Sequence, residues 1–378
     1  MTSVATPRTV EAIERAAAHA NTPDELFQTV AVDVRKAIPY DGAMWFGVDP
    51  ATMLAVARAL IEQLDDGYCD VFWHGEFHEH DANLFSDLAR RPLPAASLRS
   101  ATGDFPQRSA RYRDFLQPQG YDDELRTVFR CSGSGWAIAA LMREPGRPPF
   151  DEHDAALLGA ISGIVAGAMR ALATLIPPPT RLVQAPGLLL FDSDGVLDSV
   201  NTEAARWLAD IFGTDQDRDW VETLSDPNAS DLVASVPIVP LLARARAVAA
   251  GRDDGQARLR LRDRGGRWVV LHASVLDGAT TKGSVAVVVE PAKSAEIAPI
   301  IIEAYGLTVR ERDVVQSIAR GSSTPEIATE LFLSAHTVRD YIKSVLDKVG
   351  VNSRAELIAK LFAEHYINPM HDGLVHID

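Results

Sequence analysis

The chain has 378 residues, which suggests roughly two or three domains, and its composition is ordinary for a globular protein. Its net charge is −15, and residues 303–378 carry 8 basic against 11 acidic side chains, so no region is the basic domain that a nucleic-acid footprint usually shows. Two cysteines, Cys69 and Cys131, are too few for a disulfide framework and suit a reducing cytosol.

The N-terminal stretch MTSVATPRTVEAIERAAAHA is interrupted by charges before any apolar run forms, which excludes a secretory signal. TPDELFQTVAVDVRKAI (22–38) predicts a helix, with Thr22 as cap and Pro23 at its first position. DGAMWFGVD (41–49) reads as a strand. ELRTVFR (124–130) and GWAIAALMR (135–143) read as a strand pair across a Gly/Ser turn. FDEHDAALL opens a long Gly/Ala helix. Its segment 155–176 is long enough to span a membrane and spaces Gly159, Gly163 and Gly167 by four. Its Ala/Gly character and Arg170 favour a buried helix instead, packed on its twin in a dimer, and no membrane partner is expected. IPPPTR (176–181) ends this first segment, because successive prolines cannot continue a helix.

In the second segment GLLLFD (187–192) and VLDSV (196–200) are strands around a turn, and NTEAARWLADIF (201–212) is a helix. QARLRLRD (256–263) alternates as a half-buried strand does, RGGR turns it, and WVVLHASVL (268–276) and GSVAVVVE (283–290) follow. This order over about a hundred residues resembles a PAS sensor domain, with Asn201 where that opening commonly places an Asn. A softer boundary falls at PAKSAEIAP (291–299), and the rest is helical.

Thr308 and Glu311 form a capping box ahead of an apolar-periodic run that stops at Gly321. Thr324 is expected to cap the next helix, with Pro325 at its first position. Ser334 caps a third helix that ends at Gly350. In it Val338, Ile342, Val345 and Val349 make one apolar stripe, opposite His336, Arg339, Asp340, Lys343 and Asp347. Ser353 and Glu356 open a fourth helix. This is a helix-turn-helix layout, in which the third helix enters the major groove. Arg339 can pair with guanine, Lys343 can meet guanine or phosphate, and Asp340 can accept from cytosine N4. The hydroxyls of Ser334 and Thr337 suit phosphate. Spacing alone fits equally a helical bundle whose third helix shows a solvated, mixed-charge face.

The pieces LTVRERDVV, ARG, EIA, LFLS, TVR, DKVGV and SRAEL together resemble the DNA-binding domain of the LuxR/FixJ class of bacterial transcriptional regulators. The resemblance covers about sixty residues. It implies a four-helix domain that binds double-stranded DNA as a homodimer, with the fourth helix pairing across the two-fold. By position, Thr337, Arg339, Asp340 and Lys343 fall where that family touches bases and phosphates, and Lys348 near a phosphate. Glu326 and Arg354 fall where it keeps structural polar contacts. Tyr341 stands where the family often has His. The whole chain then looks like regulators that place a GAF-like and a PAS-like domain before this reader. The expected fold class is therefore multidomain α+β: a GAF-like α/β domain at 1–176, a PAS-like α/β domain at 182–291, and an all-α helix-turn-helix domain at 299–378.

WHGEFHEHD (73–81) places His74 and His78 four apart, but no His-Glu-x-x-His or Cys-x-x-Cys accompanies them, so no metal is expected. Trp45, Tyr68, Trp73 and Trp136, with His74 or His78 as polar anchors, could line a small-molecule effector cavity, or the aromatics could simply be core. The PAS-like segment has no cysteine or histidine placed like a flavin or haem attachment, and no cofactor is expected. There is no phosphate-acceptor receiver pattern, so phosphorelay control is not expected, and with no Gly-rich phosphate loop, no Gly-x-Ser-x-Gly and no triad-like grouping no enzyme activity is expected either. The leading reading is a cytoplasmic, dimeric transcription factor relaying an upstream signal through 296–305. An RNA-binding antiterminator and an enzyme using the N-terminal cavity are the alternatives.

Overall fold

The structure, a computed structural model, describes residues 7–56, 60–65, 68–174, 185–213, 219–226, 237–278 and 281–363. The proline boundary at 176–181 lies outside them.

The N-terminal body opens with helices α1 (Pro7–His19) and α2 (Pro23–Ala37). The Thr22 hydroxyl accepts the Glu25 N–H and caps α2. Five strands follow: β1 (Gly42–Gly47), β2 (Leu60–Glu62), β3 (Ala95–Ser97), β4 (Asp123–Cys131) and β5 (Ser134–Arg143). They form one antiparallel sheet in the order β2-β1-β5-β4-β3. Helices α3 (Cys69–His78), α4 (Phe85–Leu88) and α5 (Leu98–Thr102) lie between β2 and β4 in the chain. Helix α6 (Glu152–Ala173) closes this body. Every residue of β1 is buried, because both faces of the sheet are covered. Ala43 and Trp45 join α1, α2 and α6, whereas Met44 and Phe46 join α3 and α4. A bulge between Phe129 and Arg130 interrupts the β4–β5 register. The Ser162 hydroxyl of α6 serves the backbone there, donating to the Val128 carbonyl and accepting the Arg130 N–H.

Among the described residues α6 is the one helix long and apolar enough to cross a membrane, by length and composition. Here one side of it forms part of the sheet's core, through Leu158, Ile161 and Val165. Its glycines do not act alike. Gly159 has Leu93 against it, but Gly163 and Gly167 face open space.

The middle body repeats the same strand order. Strands β6 (Gly187–Phe191), β7 (Leu197–Val200), β8 (Arg258–Arg262), β9 (Trp268–Val275) and β10 (Val285–Pro291) pair antiparallel as β7-β6-β10-β9-β8. Helices α7 (Thr202–Phe212), α8 (Trp220–Ser225) and α9 (Ile238–Ala249) cover one face. Asn201 holds the entry to α7, accepting the N–H groups of Ala204 and Leu188.

Polar contacts tie these bodies together. Arg260 of β8 grips Asp49 after β1 with two side-chain bonds, of 2.7 and 2.8 Å, and both groups are buried. The Arg262 guanidinium donates to the carbonyl of Ala173 at the end of α6. The remaining helices are α10 (Ser294–Ala304), α11 (Val309–Ala319), α12 (Thr324–Glu330), α13 (Ala335–Val349) and α14 (Arg354–Ile358), which continues as a wider turn to Ala363. Their core includes Ile297 and Ile301 of α10 and Val270 of β9, so these helices do not close a core by themselves.

Candidate nucleic-acid interface

The C-terminal helices are positioned by their caps. The Thr308 hydroxyl and the Glu311 carboxylate exchange bonds with each other's backbone N–H across the first turn of α11. At α12 the cap is Ser323, one residue before the expected Thr324. The reason is Glu326, which reaches the backbone N–H and hydroxyl of Ser323 at 2.7 and 2.6 Å. Thr324 instead accepts from Arg354, which also donates to the Ser322 carbonyl and so fastens α14 to the entry of α12. Glu330 at the end of α12 is held by the buried Ser317 hydroxyl and by Arg320.

Helix α13 is amphipathic as its spacing demands. Val338, Ile342, Val345 and Val349 are buried against α11, α12 and α14. His336, Arg339, Asp340, Lys343 and Asp347 are exposed. The Ser334 hydroxyl accepts the Thr337 N–H at 3.0 Å and lies 2.9 Å from the Thr337 hydroxyl. Gly350, in the left-handed region at φ +69°, ends the helix.

The charges on this unit are unequal in freedom. Arg310 pairs with Asp313, Arg312 with Glu303, Arg320 with Glu330 and Lys348 with Glu311, while Arg354 and Lys360 donate to backbone carbonyls. Arg339 and Lys343 have no hydrogen-bond or ion-pair partner among the described residues. They sit one turn apart on the exposed side of α13. Four of the basic groups are thus taken up by acids and two by backbone carbonyls, and Arg339 and Lys343 are left facing outward, with Asp347 exposed on the same helix. Asp340 beside them lies 3.2 Å from the His336 imidazole.

Lys348 sits differently from the other candidates. Its ammonium is 2.6 Å from Glu311, which also accepts the Ser344 hydroxyl. Burial raises the Glu311 carboxyl, but Lys348, Ser344 and Thr308 outweigh it and hold the group down at about 2. Lys348 thus joins α13 to α11. Sequence reading missed this tie because nothing in spacing links residues so far apart in the chain.

The six upstream ligand candidates do not line one space. Side chains alternate across a sheet, and the two faces here are separate cores. Trp45 and Trp136 lie on the α1/α2/α6 face, where Trp45 stacks on Phe129 at 5.7 Å. Tyr68 and Trp73 lie on the other face, with Trp73 against Phe46, Phe72 and Phe77. His74 is exposed and stacked on His78, whose Nε2 lies 2.9 Å from the Ala243 carbonyl of α9. Of the two readings of these aromatics, cavity lining or core, their packing in or against two separate cores agrees with core. Among the described residues no group of three His, Cys, Asp or Glu converges as metal ligands would. The face near Trp73 also holds a buried ion network that was not expected, in which Glu124 receives Arg111 at 2.7 Å and Arg126 at 3.1 Å, and Arg126 reaches Glu76 at 2.8 Å.

The family described as bacterial regulatory proteins, luxR family, matches residues 306–361. DesR of Bacillus subtilis, a transcriptional regulatory protein, is 45% identical over 58 residues, which are 15% of this chain and 29% of DesR. The spore germination protein GerE of Bacillus subtilis is 42% identical over 55 residues, 15% of this chain and 74% of GerE. A probable transcriptional regulatory protein NarL of Mycobacterium tuberculosis is 33% identical over 76 residues, 20% of this chain and 32% of NarL. The chain thus spans about three-quarters of GerE but about a third of DesR and NarL. Among solved structures, the phage VqmA–DPO complex covers 52% of this chain and 88% of its own at 18% identity, with a TM-score of 0.25. A Vibrio cholerae VqmA–ligand–DNA complex covers 48% and 82% at 15% identity, with a TM-score of 0.22. At those scores neither likeness carries an argument.

Proposed function

Because the chain belongs to the luxR family of bacterial regulatory proteins through residues 306–361, we propose that it is a cytoplasmic, sequence-specific DNA-binding transcriptional regulator whose reading element is α13. The observation that carries this reading is the pair Arg339 and Lys343, exposed on α13 and without a partner among the described residues, on a unit whose other basic groups are each taken up by a carboxylate or a backbone carbonyl. Arg339 reads a guanine edge, Lys343 meets guanine or phosphate, and Asp340 accepts from cytosine. Ser334 and Thr337, already bonded to each other, offer their remaining lone pairs and protons to phosphate. Lys348 reaches phosphate only by sharing or leaving Glu311.

The protein acts as a homodimer on twofold-symmetric half-sites, and the upstream bodies receive a small-molecule or partner signal. Their common strand order supports the GAF-like and PAS-like readings. The signal passes through α10, which packs on both α6 and the reading unit. No catalytic role is assigned to either upstream body.

Competition between duplex DNA and hairpin RNA for the full chain tests this function. Selective duplex binding that weakens steeply with salt is expected. A reading helix such as α13 argues against RNA, because the A-form major groove excludes side chains, but preference for the hairpin would replace the reading with an RNA-binding antiterminator.

A further inference from the structure

Phe332 is an outlier on two counts. It is 95% exposed, whereas the next most exposed large apolar side chain described, Val309, is at 64%. Its backbone also sits in the left-handed region, at φ +56°. An L side chain is disfavoured there, and Gly or Asn is the residue that folding would choose. Folding therefore accounts for neither the ring nor its backbone. Residues kept in such conformations cluster at functional positions.

The location is informative. Phe332 lies in the turn between α12 and α13, two residues before the Ser334 cap. The turn itself is well made, with the Leu333 N–H on the Ala328 carbonyl at 2.9 Å. The ring therefore stands in water at the N-terminal rim of the reading helix, the end that approaches base edges in helix-turn-helix docking. A duplex offers apolar surface at that rim through deoxyribose carbons and the thymine methyl.

We propose that Phe332 is a DNA-contacting residue whose ring packs on the apolar edge of the duplex, a deoxyribose or a thymine methyl, beside the first turn of α13. This rests on the DNA-binding reading above. It adds an uncharged anchor to a surface that otherwise presents Arg339, Lys343, Asp340, His336, Asp347 and hydroxyls.

The test uses the full chain and the duplex that wild type selects from a random pool. Phe332→Gly should lower affinity about tenfold, as expected for losing the burial of part of an aromatic ring. The slope of log affinity against log salt should stay the same, because no charge is removed. The unfolding midpoint should be unchanged or higher, because glycine relieves the left-handed backbone. Phe332→Asn should lose affinity in the same way, and Phe332→Tyr should retain it. Replacing thymine by uracil in the duplex distinguishes the two contacts. A loss for wild type but not for Phe332→Gly places the ring on the methyl, and no loss places it on the sugar. Unchanged affinity in Phe332→Gly, with wild type selecting duplex normally, overturns this inference alone. Wild type selecting no duplex overturns the DNA-binding reading and this inference with it.

Discussion

At the scale of the residue, the reading unit is defined by which charges are occupied. Counting basic against acidic groups argued against a nucleic-acid surface, but a count does not see position: the three surplus acids of 303–378, Glu364, Asp372 and Asp378, come after the helices in the chain, and Arg339 and Lys343 share one exposed side of α13. Glu311 makes the same point. Its part in a capping box was legible from Thr308-x-x-Glu311, but its bonds to Ser344 and Lys348 bring distant turns of α13 to it. The tie has a pH signature. The folded carboxyl is held at about 2, below its ordinary 4.5. A depressed carboxyl stabilises the fold fully above its ordinary value and loses that contribution as pH falls through the folded one. The stability difference between wild type and Glu311→Gln should therefore be about 1–3 kcal/mol near neutral pH and shrink between pH 4.5 and about 2. Denaturant unfolding of both proteins across that range measures it. A difference that does not change with pH would mean that the carboxylate's charge adds nothing.

At the scale of the element, most helices and strands were legible because their signals are local. Thr22 with Pro23, Asn201, Ser334 and Gly350 mark ends that the structure also marks. The strands β4 and β5 follow from their apolar runs and the intervening turn, which uses positive φ at Ser132 and Gly133. The cap of α12 moved by one residue because Ser323 and Thr324 are both capping types, and only the reach of Glu326 decides between them. The aromatic candidates failed as a set for a different reason. Residue type predicts burial, but the face that each side chain buries is fixed by strand register, as Trp45 and Phe46 show. Helix α10 was expected both as a helix and as the relay at 296–305, but the side chain that ties it to its neighbours was not legible. Its Glu303 accepts the Ser134 hydroxyl of the β4–β5 turn at 2.7 Å and also pairs with Arg312 of α11. Glu303→Gln should weaken this junction by roughly 1–3 kcal/mol, the range for hydrogen bonds to charged groups. Hydrogen exchange should then speed up in α10 and α11 while the core strands β4 and β5 keep their protection. Unchanged exchange in α10 and α11 would remove Glu303 from the relay.

At the scale of the whole molecule, three sets of elements are joined by buried and half-buried polar contacts as well as apolar ones. Asp49 with Arg260 joins the two sheets, Arg262 reaches the end of α6, and Glu303 joins the first sheet to the reading unit. None of these pairs carries a sequence signature, because each links residues far apart in the chain. The reading surface itself is left exposed by this assembly, so full-length protein is the proper material for testing it. The central claim is that α13 reads DNA sequence through Arg339. Selection from a random duplex pool at one fixed salt, with full-length wild type beside Arg339→Ala, tests it most directly. Wild type should enrich an inverted repeat, and Arg339→Ala, though folded, should enrich none. Enrichment of the same repeat by Arg339→Ala, or of no sequence by wild type, would contradict the claim.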